Sequence, residues 1–87
     1  MSKPFRCDLV TPERAVFEGE VSYADVPAHD GQFGVMANHA PLLAQLGTGN
    51  LKLTLPDNSQ KSFRLEGGFA QVNANRLTLL SEKATEA

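Results

Sequence analysis

The chain has 87 residues, of which 41% are apolar and 21% charged, with a formal net charge of −2. That length suits one small domain, the composition is that of an ordinary globular chain, and no basic run or stripe is present to attract nucleic acid. No apolar stretch is long enough to span a bilayer, and the N-terminal MSKPFRCDLV has neither the apolar run nor the small-residue cleavage site of a secretory signal. The single cysteine, Cys7, excludes an internal disulfide framework and fits a reducing compartment.

A domain of this size buries only about 60–65% of the surface its unfolded chain would expose. Covering one face against a partner would therefore add usefully to its stability. Residues 5–10 alternate, Phe5, Cys7 and Leu9 against Arg6 and Asp8, which predicts a half-buried strand. Thr11-Pro12-Glu13-Arg14 reads as a turn, with Pro presetting its first corner. Residues 15–18 and 20–27 form a second extended region, with a break at Gly19 and an end at Pro27. The segment 28–41 is the least regular; Asp30-Gly31 is its turn dipeptide. Leu42, Leu43 and Leu46 follow Pro41 at a spacing that permits one turn of helix.

The second half is more periodic. Leu51, Leu53 and Leu55 alternate with Lys52 and Thr54, and Phe63 and Leu65 alternate with polar residues. Between them Pro56-Asp57-Asn58-Ser59 is turn chemistry. The expected hairpin pairs Leu53 with Phe63 and Leu51 with Leu65, which puts all four on one face. Gly67-Gly68 marks another break. Ala70 and Val72 then face Leu79 and Leu77 across the turn Asn73-Ala74-Asn75-Arg76. From Glu82 onward the chain is polar and shows no core pattern. Short strands with turn signals at roughly ten-residue spacing predict an all-β fold, a sandwich or flattened barrel of about ten short, mostly antiparallel strands.

Reactive groups are few. A Cys-His pair could make a thiolate nucleophile, but Cys7 lies on the apolar face of a strand, where a free cysteine packs as a small hydrophobe. His29 and His39 are ten positions apart with no third ligand close by, so no metal site is expected. HDGQFG lacks the GK[ST] ending and following helix of a phosphate loop, and its glycines read as loop residues. The carboxylates are scattered as solvated faces. His39, beside a proline turn, reads either as a turn residue bonded to local backbone or as a partner contact. The residues alone give a small β-domain with a binding or structural role and no marked catalytic apparatus.

Three stretches, LVTPERAVFEGEV (9–21), VPAHDGQFGVMANHAPLLAQLGTG (26–49) and EGGFAQVNANRLTLLSEKA (66–84), together resemble the epsilon subunit family of rotary ATP synthases, in its order and at its spacing. The resemblance covers nearly the whole chain, read as a single epsilon-type β-sandwich domain over residues 1–87. It implies a non-catalytic subunit of the central stalk of a proton-translocating synthase. That subunit sits between the gamma subunit and the c ring and passes ring rotation to the catalytic head. It further implies no cofactor and no metal. Membrane association would come only through the complex, peripherally on the cytoplasmic face of the bacterial inner membrane.

Carried over by position, the resemblance puts the ring contact at His29, Asp30, Gly31, Gln32 and Phe33, running to Gly34, with Gln32 at the loop tip. Many relatives carry an acidic residue at the position of Gln32; here the nearest acid is Asp30. The gamma contact falls on Thr11, His39 and Ala44. Gly67, Gly68 and Phe69 match a motif whose implied work is structural, the glycines for a bulge and Phe69 for the core. Typical relatives continue into a two-helix domain that inhibits hydrolysis and in some members binds ATP. The chain stops where those helices would begin, so neither ATP binding nor that inhibition is expected. Two other readings compete. One is a small hydrolase using Cys7. The other is a stand-alone β-sandwich ligand-binding module, against which the shortage of aromatics (7%, no Trp) weighs for a sugar platform.

Overall fold

A computed structural model describes residues 3–87 and contains eight strands. They are β1 (Phe5–Val10), β2 (Ala15–Val21), β3 (Tyr23–Ala28), β4 (Gly31–Val35), β5 (Leu42–Gln45), β6 (Thr48–Thr54), β7 (Gln60–Asn73) and β8 (Arg76–Glu86). The hydrogen-bonded order is β2-β1-β8-β7-β6-β3-β4, with β5 paired to β7 off that path. Among the described residues only β1 and β8 pair in parallel.

The architecture turns on one feature of β7. Phe63 and Leu65 are buried in its first half, Ala70 and Val72 in its second. Inward residues thus change from odd to even numbers, and the change falls at Gly67-Gly68, whose φ angles are 68° and 109°. The same switch occurs across the ladder in β8, where Leu77, Leu79 and Ser81 are buried but Ala84 is the next residue to pack on the core. The register between the two strands holds on both sides, Glu66 facing Lys83 and Gly68 facing Ser81. Both strands therefore bend together from one layer into the other, the way sandwich strands change sheets. β5 and β6 follow the bend end to end along the other edge of β7. Leu46 N–H donates to Gly68 O at 2.8 Å where they join.

One layer, sheet I, is β2, β1, the first half of β8, the second half of β7, and β5. The other, sheet II, is β4, β3, β6, the first half of β7, and the second half of β8. Each holds five strand segments, which meets the expectation of about ten short strands. A single core lies between them, built from Cys7, Leu9, Leu77 and Leu79 of sheet I and from Val26, Leu51, Leu53 and Leu65 of sheet II. The Phe17 and Phe63 rings meet across it, centroids 6.2 Å apart.

Several expected boundaries differ. The strand through Gly19 is unbroken, because Gly19 pairs with Cys7; the break comes at Ser22, where N–H and hydroxyl both donate to Thr54 O and the chain crosses to sheet II. Pro27 stays inside β3 opposite Gln32. The ladder from β3 to β6 has already stopped at Asp25, so no partner there is left waiting for its missing N–H. Gly31–Val35 and Leu42–Gln45 are strands, so the irregular stretch is shorter than expected and the turn of helix is absent. Gly67-Gly68 bends β7 without ending it, and β8 continues through Glu86.

The β6–β7 register is shifted by two residues, Leu51 facing Phe63 and Leu53 facing Lys61. The loop is tighter than the four residues expected: Leu55 N–H donates to Ser59 O, Asn58 N–H donates to Leu55 O, and Asn58 takes φ 71°. That is a type I turn followed by a left-handed residue, a three-residue hairpin. The face was right because a shift of two preserves it. The β7–β8 hairpin has the expected register, Ala70 facing Leu79 and Val72 facing Leu77.

Candidate functional site

Two surface regions gather the residues of interest. The first is the tip of the β3–β4 hairpin. Its last pair is Ala28 with Gly31, leaving His29-Asp30 as a two-residue turn. Gly31 has φ 125°, a conformation that side-chain-bearing residues resist. The tip is exposed, and His29 Nδ1 lies 3.5 Å from Asp30 Oδ1. It is also anchored: His29 N–H donates to Gln45 O at 2.8 Å, and Gly47 N–H donates to Pro27 O at 2.9 Å. A Cβ on Gly47 would lie 3.1 Å from Ala28 O, so glycine there lets the tip seat against the β5–β6 junction.

The structure separates the five residues assigned to the ring contact. His29, Asp30 and Gly31 form the tip. Gln32 does not: it lies in β4, and its Nε2 donates sideways to Asn50 O at 3.1 Å. The turn is two residues long, which leaves Gln32 inside the ladder. Phe33 pairs with Val26 and packs half-buried on the core.

The second region is the outer face of sheet I. Cross-strand pairing aligns Val10, Leu80, Phe69 and Gln45 in one row, and Asp8, Thr78, Gln71 and Leu43 in the next. Phe69 is 53% exposed, Leu80 54% and Leu43 69%. Phe69 is thus a surface residue, against the expectation that it fills the core. Its parity explains this, since Ala70 and Val72 point inward and Phe69 must point out. The same parity was readable for Leu80, next to inward Leu79. Phe69 and Leu80, with Val10, Thr11 and Pro12, line an open cleft of about 410 Å³, which Leu43 does not reach.

At the opposite end of this face, Arg6 and Arg76 sit side by side on the parallel strands. Asp8, mostly buried, lies between them: Arg6 Nε donates to Asp8 Oδ1 at 2.9 Å, and Arg76 Nη1 is 3.7 Å from Asp8 Oδ2. Thr11 and His39 fall at the two ends of sheet I. Thr11 opens the β1–β2 turn, where its N–H donates to Arg14 O. His39 lies beside the β7–β8 turn, tied there by Asn38 N–H donating to Asn75 Oδ1 at 2.7 Å. Its Nδ1 is 2.7 Å from Ala40 O, the local backbone bond of a turn histidine. Ala44 pairs with Ala70 on the inner side of β5 and is half-buried, so its neighbour Leu43 presents the outward surface.

Cys7 is fully buried, and burial first, then the neighbouring Asp8 charge, pushes its thiol up to about 12. His29 is exposed at the hairpin tip and His39 is half-buried beside the β7–β8 turn. A thiolate–imidazole pair cannot form with the sulfur sealed in the core, which overturns the hydrolase reading. Among the described residues no group of three or more His, Cys, Asp or Glu side chains is placed to hold a metal ion.

These features define a small all-β sandwich whose distinguishing parts are an anchored hairpin tip and one partly apolar outer face. The sequence profile described as "ATP synthase, Delta/Epsilon chain, beta-sandwich domain" matches residues 4–87, and the chain belongs to that family. It is 48% identical over 80 residues to an ATP synthase epsilon chain of Chlorobium limicola, covering 92% of this chain and 91% of that one. It is 38% identical over 87 residues to the ATP synthase epsilon chain of Dichelobacter nodosus, covering 100% of this chain but 61% of that one. The fold matches a chain of the mitochondrial ATP synthase of Euglena gracilis with TM-score 0.90 at 21% identity, over 95% of this chain and 53% of that one. It also matches a chain of the Tetrahymena thermophila mitochondrial ATP synthase central stalk and c-ring with TM-score 0.76 at 18% identity, over 95% and 66%.

Proposed function

We propose that this chain is a non-catalytic stalk subunit of a proton-translocating ATP synthase, joined to a gamma-type subunit and to the ring of c subunits. The observation that carries the reading is the family match across residues 4–87, together with relatives of about the same length called ATP synthase epsilon chain. The two surface regions support it. A rotor linker needs a stiff body with two separate adhesive surfaces, and a close-packed sandwich supplies the stiffness. The tip, His29 to Gly31, serves as the ring contact, and sheet I with Thr11 and His39 at its ends faces gamma. On this reading the domain neither binds nor hydrolyses ATP. It sits peripherally on the membrane, in bacteria on the cytoplasmic face, held there by its partners.

Co-isolation tests this. A tagged chain, recovered from gently solubilised source membranes, is expected to bring down gamma, c and the catalytic subunits at near-constant ratio. Recovery of the chain alone from the soluble fraction would remove the reading, as would micromolar ATP binding by the purified domain for its last clause.

A further inference from the structure

Among the described residues the sandwich has four open strand edges, and they are not alike. The hydrogen-bonded path ends at β2 and β4, β5 pairs only with β7, and β8 loses its β1 neighbour after Leu80. An open edge is a template for another chain unless something guards it. Glu18 and Glu20 guard β2, and Glu82, Lys83 and Glu86 guard the end of β8. β5 is only four residues long and follows Pro41. β4 reads GQFGV and carries no charge, no proline and no bulge. Its backbone is also turned to the open side at two positions. Ala28 and Gly31 close a two-residue hairpin turn, so that pair, Val26 with Phe33 and Ala24 with Val35 exchange hydrogen bonds within the ladder. The intervening Gln32 and Gly34 therefore aim their N–H and C=O groups away from β3. Pro27 opposite Gln32 agrees, since a residue without N–H fits a pair that exchanges no bonds, and its carbonyl turns the other way to accept from Gly47. Among the described residues no backbone hydrogen bond from outside the sheet reaches Gln32 or Gly34.

We propose that β4 pairs antiparallel with β4 of a second copy of this chain, about a twofold axis at Phe33, joining sheet II of each into one. This register sets Gln32 against Gly34 on both sides of the axis, Phe33 against Phe33 and Gly31 against Val35. Every outward N–H of the two strands then meets an outward C=O, and the exchanging pairs flank a central pair that exchanges none, as an antiparallel ladder requires. At such a central pair the facing side chains come closest. Phe33 stands there, half-buried at the edge with part of its ring still to cover. No charged residue meets another along the strands. A slip of one residue sets inward Phe33 against outward Gly34, and a slip of two leaves one exchanging pair inside the strand. Beyond the strands the register brings Met36, 55% exposed, beside Asp30 of the second copy. Pairing therefore crowds the hairpin tip, and a paired chain is held apart from whatever its tip would otherwise touch. Five residues a side is small against the roughly 1,200–2,000 Å² of stable interfaces, so the pairing is weak and belongs to concentrated chain.

The pairing stands independently of the stalk reading and is tested on the purified full chain alone. Sedimentation velocity from roughly 10 μM to 1 mM should show monomer passing toward dimer. Gln32→Pro removes the outward N–H, which the β3 ladder does not use, whereas Gln32→Ala keeps it. The proline variant should dimerise at least about tenfold more weakly, and the alanine variant should match the native chain. Far-UV circular dichroism and thermal unfolding check that both are folded. Residue-resolved amide exchange on the native chain is a second readout that needs no variant. Gln32 and Gly34 should exchange about twofold more slowly where half of the chain is paired, and Val35, already inside the ladder, should not change. A monomer throughout the concentration range overturns the proposal. So does a dimer that Gln32→Pro leaves intact, or one in which Gln32 and Gly34 exchange as fast as in the monomer. Equal loss in the alanine and proline variants would assign the contact to the Gln32 side chain and overturn the backbone pairing.

Discussion

The two outer faces of the sandwich are made from the same long strands and differ in kind. On sheet II, cross-strand neighbours outside the core are Asp25 with Lys52, Asn50 with Arg64 and Glu66 with Lys83. That surface is polar throughout except for Tyr23, in keeping with a face built for water. On sheet I the corresponding rows carry Val10, Leu80, Phe69 and Leu43. β7 and β8 contribute to both. What lets one strand pair present Arg64 and Lys83 to solvent at one end and Phe69 and Leu80 at the other is the change of face at Gly67-Gly68.

Breaking that bend has the largest expected effect. A Cβ on Gly68 would fall 1.9 Å from Leu80 O and 2.8 Å from Ser81 Cα, both backbone atoms of the paired strand. Neither can step aside without opening the ladder. Gly68→Ala should cost about 4 kcal/mol or more, much of the ~4–13 kcal/mol that a chain of this length can hold. Gly31→Ala is the control: φ is positive there too, at 125°, but nothing lies within 4 Å. Backbone conformation alone then costs about 1–2 kcal/mol. Urea unfolding of the two variants measures the difference, and equal losses would mean that the close approach at the bend is not what holds it.

The next effect tests the inner side of sheet I. The Cys7 thiol is pushed from its ordinary 9.0 up to about 12, chiefly by burial. The unfolded chain therefore gives up this proton first as pH rises. The contribution is fully present below pH 9 and is lost between 9 and 12, at about 1.4 kcal/mol for each pH unit. The measured quantity is the difference between native chain and Cys7→Ala, which isolates this one group. That difference should narrow steadily above pH 9. A gap constant to pH 11 would show that the sulfur reaches water.

A smaller effect separates the faces themselves. Phe69→Ser should cost about 0.5–1 kcal/mol, because its ring is half in solvent, and Lys52→Ser on sheet II less than about 0.5. Had Phe69 filled the core, as its position in a glycine motif suggested, truncating it would cost roughly 3–5 kcal/mol. Urea midpoints decide between the two figures.

The difference between these faces was partly legible in the sequence. Alternation placed Phe5, Cys7, Leu9, Leu51, Leu53, Phe63 and Leu65 correctly, and the β7–β8 register was right because its turn is tight and its apolar pairs are unambiguous. What misled was punctuation. Gly19, Pro27 and Gly67-Gly68 each look like the end of a strand, yet the chain runs through all three, since a residue type signals an unusual backbone without saying whether the ladder stops. The better signal was the parity of the apolar residues. It changes from odd at Phe63 and Leu65 to even at Ala70 and Val72, and from even at Leu46 to odd at Leu51. Two elements switching face at glycines is what a sandwich corner requires. The hairpin tip was harder, because the residue directly facing solvent depends on a turn being two residues long, and Asp30-Gly31 is equally at home in longer loops.

The smallest expected effect lies at the polar end of sheet I. The β7–β8 turn joins Asn73 to Arg76 through Ala74 and Asn75, both with positive φ, 51° and 60°. That is the type I′ geometry that matches strand twist, and it favours Asn or Gly at both central positions. Asn75 fits and also accepts the Asn38 N–H, so it is already engaged. Ala74 is the misfit: its Cβ crowds the following carbonyl in a left-handed conformation. Ala74→Asn should therefore stabilise the domain by about 0.5 kcal/mol, raising Tm by roughly 2–4 °C. Because the side chain at 74 lies beyond the last paired residue, binding through the apolar row at the other end of the sheet should not change. A fall in Tm would show that the turn relaxes to another geometry in solution. The Asn38–Asn75 tether would then be the reason to look, since it is what fixes the loop carrying His39 to this end of sheet I.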